Sequence, residues 1–141
     1  MSAAQRVAIV TGAAGGIGQA LVRGLLGAGL RVAAVDRTAS GLAALAASVP
    51  GKENDLATIP VDLAADAVIN EIVTATRGRF GSIDILVNNA GIGQGSLRAE
   101  NWQQPLRFWE VTSDQWRQFV HFVSPHSSAV EGQSFRAMES L

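Results

Sequence analysis

Three observations in the 141-residue sequence predict an α/β fold built on a doubly wound parallel sheet. Apolar runs of about five residues alternate with segments of helical periodicity, the pattern of strand and helix units that cover both faces of a parallel sheet. The third run contains Pro60, which has no amide hydrogen to donate and therefore belongs on a sheet edge. A glycine-rich turn follows the first run and opens a helix, which fixes where the winding starts. Right-handed crossovers then give the strand order 3-2-1-4, an incomplete sheet equal to the first half of a doubly wound one.

The elements follow in order. Residues 6–10 (RVAIV), 31–35 (RVAAV) and 84–87 (DILV) are continuous apolar runs suited to strands covered on both faces, and 57–61 (ATIPV) is the edge strand. Ile17, Leu21, Leu25 and Ala28 recur at intervals of four, four and three, giving the first helix an apolar face that Gly29 closes. The alanine-rich GLAALAASVPG predicts a short second helix ending at Val49-Pro50-Gly51. A third helix starts near Ala64, carries Val68, Ile72 and Ala75 on one face, and stops at Gly78. Thr112 and Gln115 form a T-x-x-Q capping box for a helix running through Trp116, Phe119 and Val120.

Composition narrows the function classes. The chain is 48% hydrophobic and 16% charged, which is the balance of a globular domain. A net charge of -1 gives no footprint for nucleic acid or an anionic membrane, so a small ligand is expected instead. The absence of cysteine removes disulfide frameworks and thiolate metal sites and agrees with a reducing cytoplasm. The start, MSAAQRVAIV, lacks the apolar core of a secretion signal, and no apolar run approaches the roughly 20 residues that span a bilayer. A cytoplasmic protein is therefore expected. His121 and His126 have no acidic or cysteine cluster beside them, so no metal site is assigned.

The strongest chemical signal is TGAAGGIG at 11–18, with four glycines in eight residues. Gly12 permits a turn out of the strand, Gly16 lets a pyrophosphate approach the backbone, and Gly18 lets the helix pack close to the sheet. The helix N-terminus adds amides and a partial positive charge. A tight turn that binds nothing is the simpler reading of these glycines alone. Asp36 strengthens the phosphate reading, because it ends the second strand eighteen residues past Gly18, where a carboxylate accepts both hydroxyls of an adenosine ribose. Its plain alternative is a turn or cap before Arg37 and Thr38.

With VDL at 61–63 and NNAG at 88–91 added, the motifs in this order resemble the short-chain dehydrogenase/reductase family from about Val7 to Trp116. The resemblance implies a Rossmann-type fold and hydride transfer between a nicotinamide dinucleotide and an alcohol or carbonyl substrate. It implies that Gly12, Gly16, Ile17 and Gly18 form the pyrophosphate loop and that Asp36 binds ribose. Asp62 and Leu63 would lie beside adenine, and Asn88, Ala90 and Gly91 on the nicotinamide side. Asp62 also suits a helix cap, and the Asn88-Asn89 pair a polar strand end. Asp36 favours NAD over NADP, since its charge repels a 2′-phosphate, while Arg37 is the one feature that would accommodate that phosphate.

The pattern then breaks. The resemblance implies a catalytic asparagine about seven residues after Trp116, where Val123 stands, and later a serine and a Tyr-xxx-Lys pair. The chain has no tyrosine, and its single lysine, Lys52, precedes the third strand. Residues 1–120 are read as a cofactor-binding half-domain and 121–141 as a divergent tail, with a frameshifted or truncated gene and a genuine tail both open as its origin. No catalytic residue is assigned, and the chain as given is expected to be inactive. A noncatalytic dinucleotide-binding or interaction module is the alternative function. The segment 91–111 is long for a connection, and its Trp102, Phe108 and Trp109 suit a pocket or subunit contact if they do not simply pack on the domain. The fourth strand would keep an open apolar edge, so self-association is expected.

Overall fold

The computed structural model describes residues 5–65, 67–91, 103–104 and 107–115. Four strands form one sheet: β1 (Val7–Thr11), β2 (Arg31–Asp36), β3 (Leu56–Pro60) and β4 (Ile85–Val87). Their order is β3-β2-β1-β4 and each pairing is parallel, as the sequence predicts. Each strand lies within one residue of its expected bounds. Pro60 does sit on the edge strand, and the ladder continues past it through the Val61 amide, which donates to the Asp36 carbonyl at 3.0 Å.

Alternate residues of a strand face opposite sides of the sheet, and two apolar clusters result. On one side Val10, Val32 and Ala34 meet Val22 and Leu26 of helix α1 (Gly16–Gly27) and Leu42 and Leu45 of helix α2 (Ala39–Ala47). On the other, Val7, Ile9, Ala33 and Val35 meet Ile59 and the Val68, Ile72 and Phe80 side chains of helix α3 (Val68–Phe80). The helices thus hold the carboxyl ends of β1 and β2 at fixed height, which is where the site forms.

Several expectations need correction. The buried stripe of α1 is Gly18, Val22 and Leu26, one residue beyond the expected face. Gly18 has no side chain and lies against the preceding loop, so its neighbours at i+4 and i+8 turn inward. Ile17 swings out to 73% exposure, Leu21 and Leu25 are half-buried, and Ala28 is exposed. Gly29 ends α1 as expected, with φ 83° and the paired bonds of a Schellman motif, Gly29 N–H to the Leu26 carbonyl and Leu30 N–H to the Leu25 carbonyl, both 3.1 Å. Helix α3 begins four residues after Ala64, and Ile69 and Thr76 join its buried face while Ala75 is exposed. Gly78 does not stop it. Burial of Phe80 carries the helix one turn farther, and Gly81, at φ 89°, ends it. Strand β4 is only half-buried rather than covered on both faces, because β1 is its one partner among the described residues.

These corrections predict a contrast in stability. Leu26→Ala, at a site 2% exposed, should cost about 2–5 kcal/mol. Ile17→Ala should change stability by less than about 0.5 kcal/mol. Urea denaturation of the two variants checks this, and equal losses would restore Ile17 to the core.

Candidate functional site

The site is assembled on the turn between β1 and α1. Gly12 adopts φ 64°, a conformation open to glycine at little cost, and a Cβ there would lie 2.8 Å from the Ala90 Cα. The chain then passes Ala13, whose amide donates to the Val35 carbonyl at 3.0 Å and ties the loop to β2. Gly18 is equally constrained: a Cβ there would strike the Gly12 carbonyl and come within 2.8 Å of the Ala13 Cα. Its close approach is therefore to the loop's own backbone, and not to the sheet as the sequence suggests. The N-cap of α1 is Gly15, so no side chain caps the helix and no acidic residue occupies its first turn. The first intrahelical bond runs from the Gln19 amide to the Gly15 carbonyl at 2.8 Å, which leaves the amides of Gly16, Ile17 and Gly18 without an acceptor within the helix. This is a suitable end for an anion.

Asp36 closes the loop from the β2 side. One carboxylate oxygen accepts the Ala14 amide at 3.1 Å and the other accepts the Thr38 amide at 2.8 Å. The turn role and the loop-facing role thus coexist in one side chain. A carboxylate has about four lone-pair sites, so roughly two stay open toward a ligand. Asp62 makes a similar local turn, accepting the Ala64 amide at 3.0 Å, which accounts for its place before the third helix without making it the helix cap. An open cleft of about 100 Å³ is lined by Gly12, Asp36, Arg37, Val61, Asp62, Leu63, Ala90 and Gly91. It brings together seven of the expected site residues. Gly16, Ile17 and Gly18 lie outside its lining at the start of α1, with the Ile17 side chain on that helix's outer face, and Asn88 is exposed at the end of β4.

Two residues without a sequence-level role hold the cleft together. The buried Thr11 hydroxyl donates to the Val87 carbonyl at 3.4 Å and accepts the amides of Asn89 and Ala90, each at 3.1 Å. That is its full capacity of one donor and two acceptor sites. The Asn89 side-chain amide donates to the carbonyls of Thr11 and Gly12, again at 3.1 Å each. The ends of β1 and β4 are thereby clasped at the floor of the cleft. Both residues belong to the motifs TG and NNAG, but which asparagine points inward depends on the strand pairing and is invisible in the sequence.

Farther along, Thr112 and Gln115 form the expected capping box, through bonds of 2.9 and 3.2 Å. Trp109 is 66% exposed and stacks under the Arg107 guanidinium at 5.5 Å, so it does not pack into the domain. Phe108 belongs to a 3-10 turn at Phe108–Glu110. Trp102, Phe119, His121, Val123, His126 and the remainder of the tail lie outside the described residues. Among the described residues no group of three acidic, histidine or cysteine side chains is placed to hold a metal, and no helix is long and apolar enough to cross a membrane.

A profile of the short chain dehydrogenases matches residues 6–124, most of the chain. This protein belongs to that family. It is 39% identical over 105 residues to a D-threitol dehydrogenase of Mycolicibacterium smegmatis, covering 72% of this chain and 40% of the relative. Its fold matches a 3-ketoacyl-(acyl-carrier-protein) reductase from Brucella melitensis complexed with NADH, with TM-score 0.76, 26% identity, and coverage of 91% of this chain and 48% of the other. A metagenomic short-chain oxidoreductase in complex with NADP matches with TM-score 0.78 and 26% identity, over 94% and 56% of the two chains. The chain thus spans about half the length of these short-chain dehydrogenases.

The clasp makes a specific prediction. Thr11→Val preserves side-chain shape but leaves the Asn89 and Ala90 amides without their shared acceptor, at a cost of about 1–3 kcal/mol. Urea unfolding should show that loss. A variant as stable as the parent would remove Thr11 from the architecture of the site.

Proposed function

We propose that the cleft binds NAD and that the chain is the cofactor-binding half of a short-chain dehydrogenase acting on an alcohol or carbonyl substrate. The observation that carries this is the Asp36 carboxylate at the cleft rim, fixed by two backbone amides yet retaining open acceptor sites. The pyrophosphate would meet the uncapped amides of Gly16, Ile17 and Gly18, with Gly12 keeping the floor free of side chains. Asp62 and Leu63 would flank adenine, and Ala90 and Gly91 would border the second ribose. Bound there, the dinucleotide would supply a nicotinamide ring for hydride transfer. Family members bound to NADH and to NADP are both among the solved relatives, and the acidic Asp36 supports NAD for this chain, Arg37 notwithstanding.

Residues 1–120 act in this reading as the binding half-domain and 121–141 as a divergent tail, in a cytoplasmic protein. Proton exchange with the substrate oxygen falls by resemblance to a tyrosine assisted by a lysine, and the sequence has no tyrosine. General acid–base catalysis is worth about 10²–10⁴ in rate, so the chain as given should bind the dinucleotide without measurable turnover. A noncatalytic dinucleotide-binding module makes the same forecast for this chain. The two part when a longer form that contains a serine, tyrosine and lysine is assayed. The half-buried β4 edge supports self-association, for which sedimentation at high micromolar concentration is the check: a single monomeric species would refute it.

Calorimetric titration tests the binding site directly. Gly16→Val should abolish NAD binding and leave the fold intact, because a Cβ at that position meets nothing within 4 Å in the protein itself. Asp36→Ala should narrow the preference for NAD over NADP. Undiminished binding by Gly16→Val would refute the phosphate cradle, and an unchanged NAD to NADP ratio would refute the role of Asp36.

A further inference from the structure

Helix α2 approaches the glycine-rich loop closely at Gly41. A Cβ added there would lie 2.7 Å from the Ala14 Cβ, closer than carbon atoms pack, and 3.4 Å from the Thr38 side chain. The Ala14 methyl is attached directly to the loop backbone, so it has no rotamer by which to move aside. Relief of the contact requires the loop or the first turn of α2 to shift. Both are ends of the Asp36 bridge: the Ala14 amide belongs to the loop, and the Thr38 amide is that of the α2 N-cap residue. The Ala14 carbonyl is also held, by the Gln19 side-chain amide at 2.8 Å, and Gln19 in turn receives a bond from Arg23 at 2.9 Å. Ala14 is therefore pinned on its backbone from two sides, and its methyl closes on Gly41.

We propose that Gly41 is a positioning residue for dinucleotide selection, because only a residue without a side chain lets α2 seat against Ala14 and keep the Asp36 carboxylate aimed across the loop. The proposal rests on the reading that this cleft binds NAD. Gly41 does not touch the cleft, since it is not among the residues that line it. It acts through Ala14, whose amide fixes one Asp36 oxygen. Inside a helix alanine is ordinarily favoured over glycine, so a merely structural role for this position predicts that Gly41→Ala is neutral or stabilising. The contact with Ala14 predicts the opposite for the site.

The test compares the parent, Gly41→Ala, Ala14→Gly and the double variant. Gly41→Ala should retain its circular dichroism spectrum, bind NAD about fivefold or more weakly, within the range of couplings between residues in contact, and show a reduced preference for NAD over NADP. In the Ala14→Gly background the same change should alter NAD affinity by less than about twofold, because the opposing methyl is gone. Amide hydrogen exchange in the ligand-free protein gives an independent readout. The Ala14 amide should exchange faster in Gly41→Ala than in the parent, whereas the amide at the same position should exchange equally in Ala14→Gly and in the double variant. Unchanged exchange at Ala14, or an equal NAD loss in both backgrounds, overturns the proposal. Failure of the parent itself to bind NAD overturns the functional reading, and with it the selection role, while exchange still reports whether Gly41 governs the Ala14 bond.

Discussion

The carbonyl of Gly12 is the constraint on which the rest of the site depends. It accepts the Gly15 amide at 3.3 Å and the Asn89 side-chain amide at 3.1 Å, and it lies where any side chain on Gly18 would strike it. One backbone oxygen therefore fixes the turn of the loop, the junction with β4 and the depth to which α1 settles. A carbonyl oxygen has two lone pairs, and both are used. Moving this group would leave polar atoms unsatisfied on the loop and on the β4 side at once, which is more costly than losing either contact alone. The demand for glycine at 12 and at 18 follows from backbone crowding rather than from a need for flexibility.

The core is arranged to serve that junction. The sheet is densely covered around β1 and β2, whose Val7, Val10, Val32 and Val35 have no exposed surface, and it thins toward β4, where every residue is half-buried. The carboxyl ends of β1 and β2 are thus carried by the best-buried strands of the sheet. A binding site gains most from rigidity there, since groups held in place before a ligand arrives lose little entropy on binding it. Thr11, Asp36 and Asn89 extend that order from the strands into the loops through hydrogen bonds to backbone, so cleft walls that would otherwise be mobile connections share the stability of the sheet.

The Asp36 carboxylate shows how a structural role and the proposed binding role would coincide. Its two oxygens link the Ala14 amide of one loop to the Thr38 amide at the start of α2, which stabilises the apoprotein. The same bonds fix the direction of the remaining lone pairs. A charged group that is both a structural bridge and a ligand acceptor discriminates between dinucleotides more sharply than a free carboxylate, because it cannot rotate away from a 2′-phosphate to relieve repulsion. Under the proposed NAD-binding role, selection would be a property of the loop and helix around Asp36 as much as of its charge.

Residues in sequence determined the architecture, because apolar periodicity, Pro60 on the edge strand and the stop at Gly29 are local signals that tertiary contacts only reinforce. The glycine spacing, Asp36 and the NNAG segment likewise marked the family and most of the cleft lining. Tertiary structure decided what depends on distance between elements. It turned α1 by one residue, burying Gly18, Val22 and Leu26 and exposing Ile17, because close approach to the loop outweighed the bulk of the apolar side chains. It carried α3 past Gly78 to Phe80, since burial of an aromatic ring outweighs the modest helix penalty of one glycine. It also selected Asn89 over Asn88 as the clasp and set Gly41 against Ala14, pairings separated by tens of residues along the chain. Periodicity and motif spacing report on neighbours in sequence, whereas these contacts exist only after parallel strands have come into register.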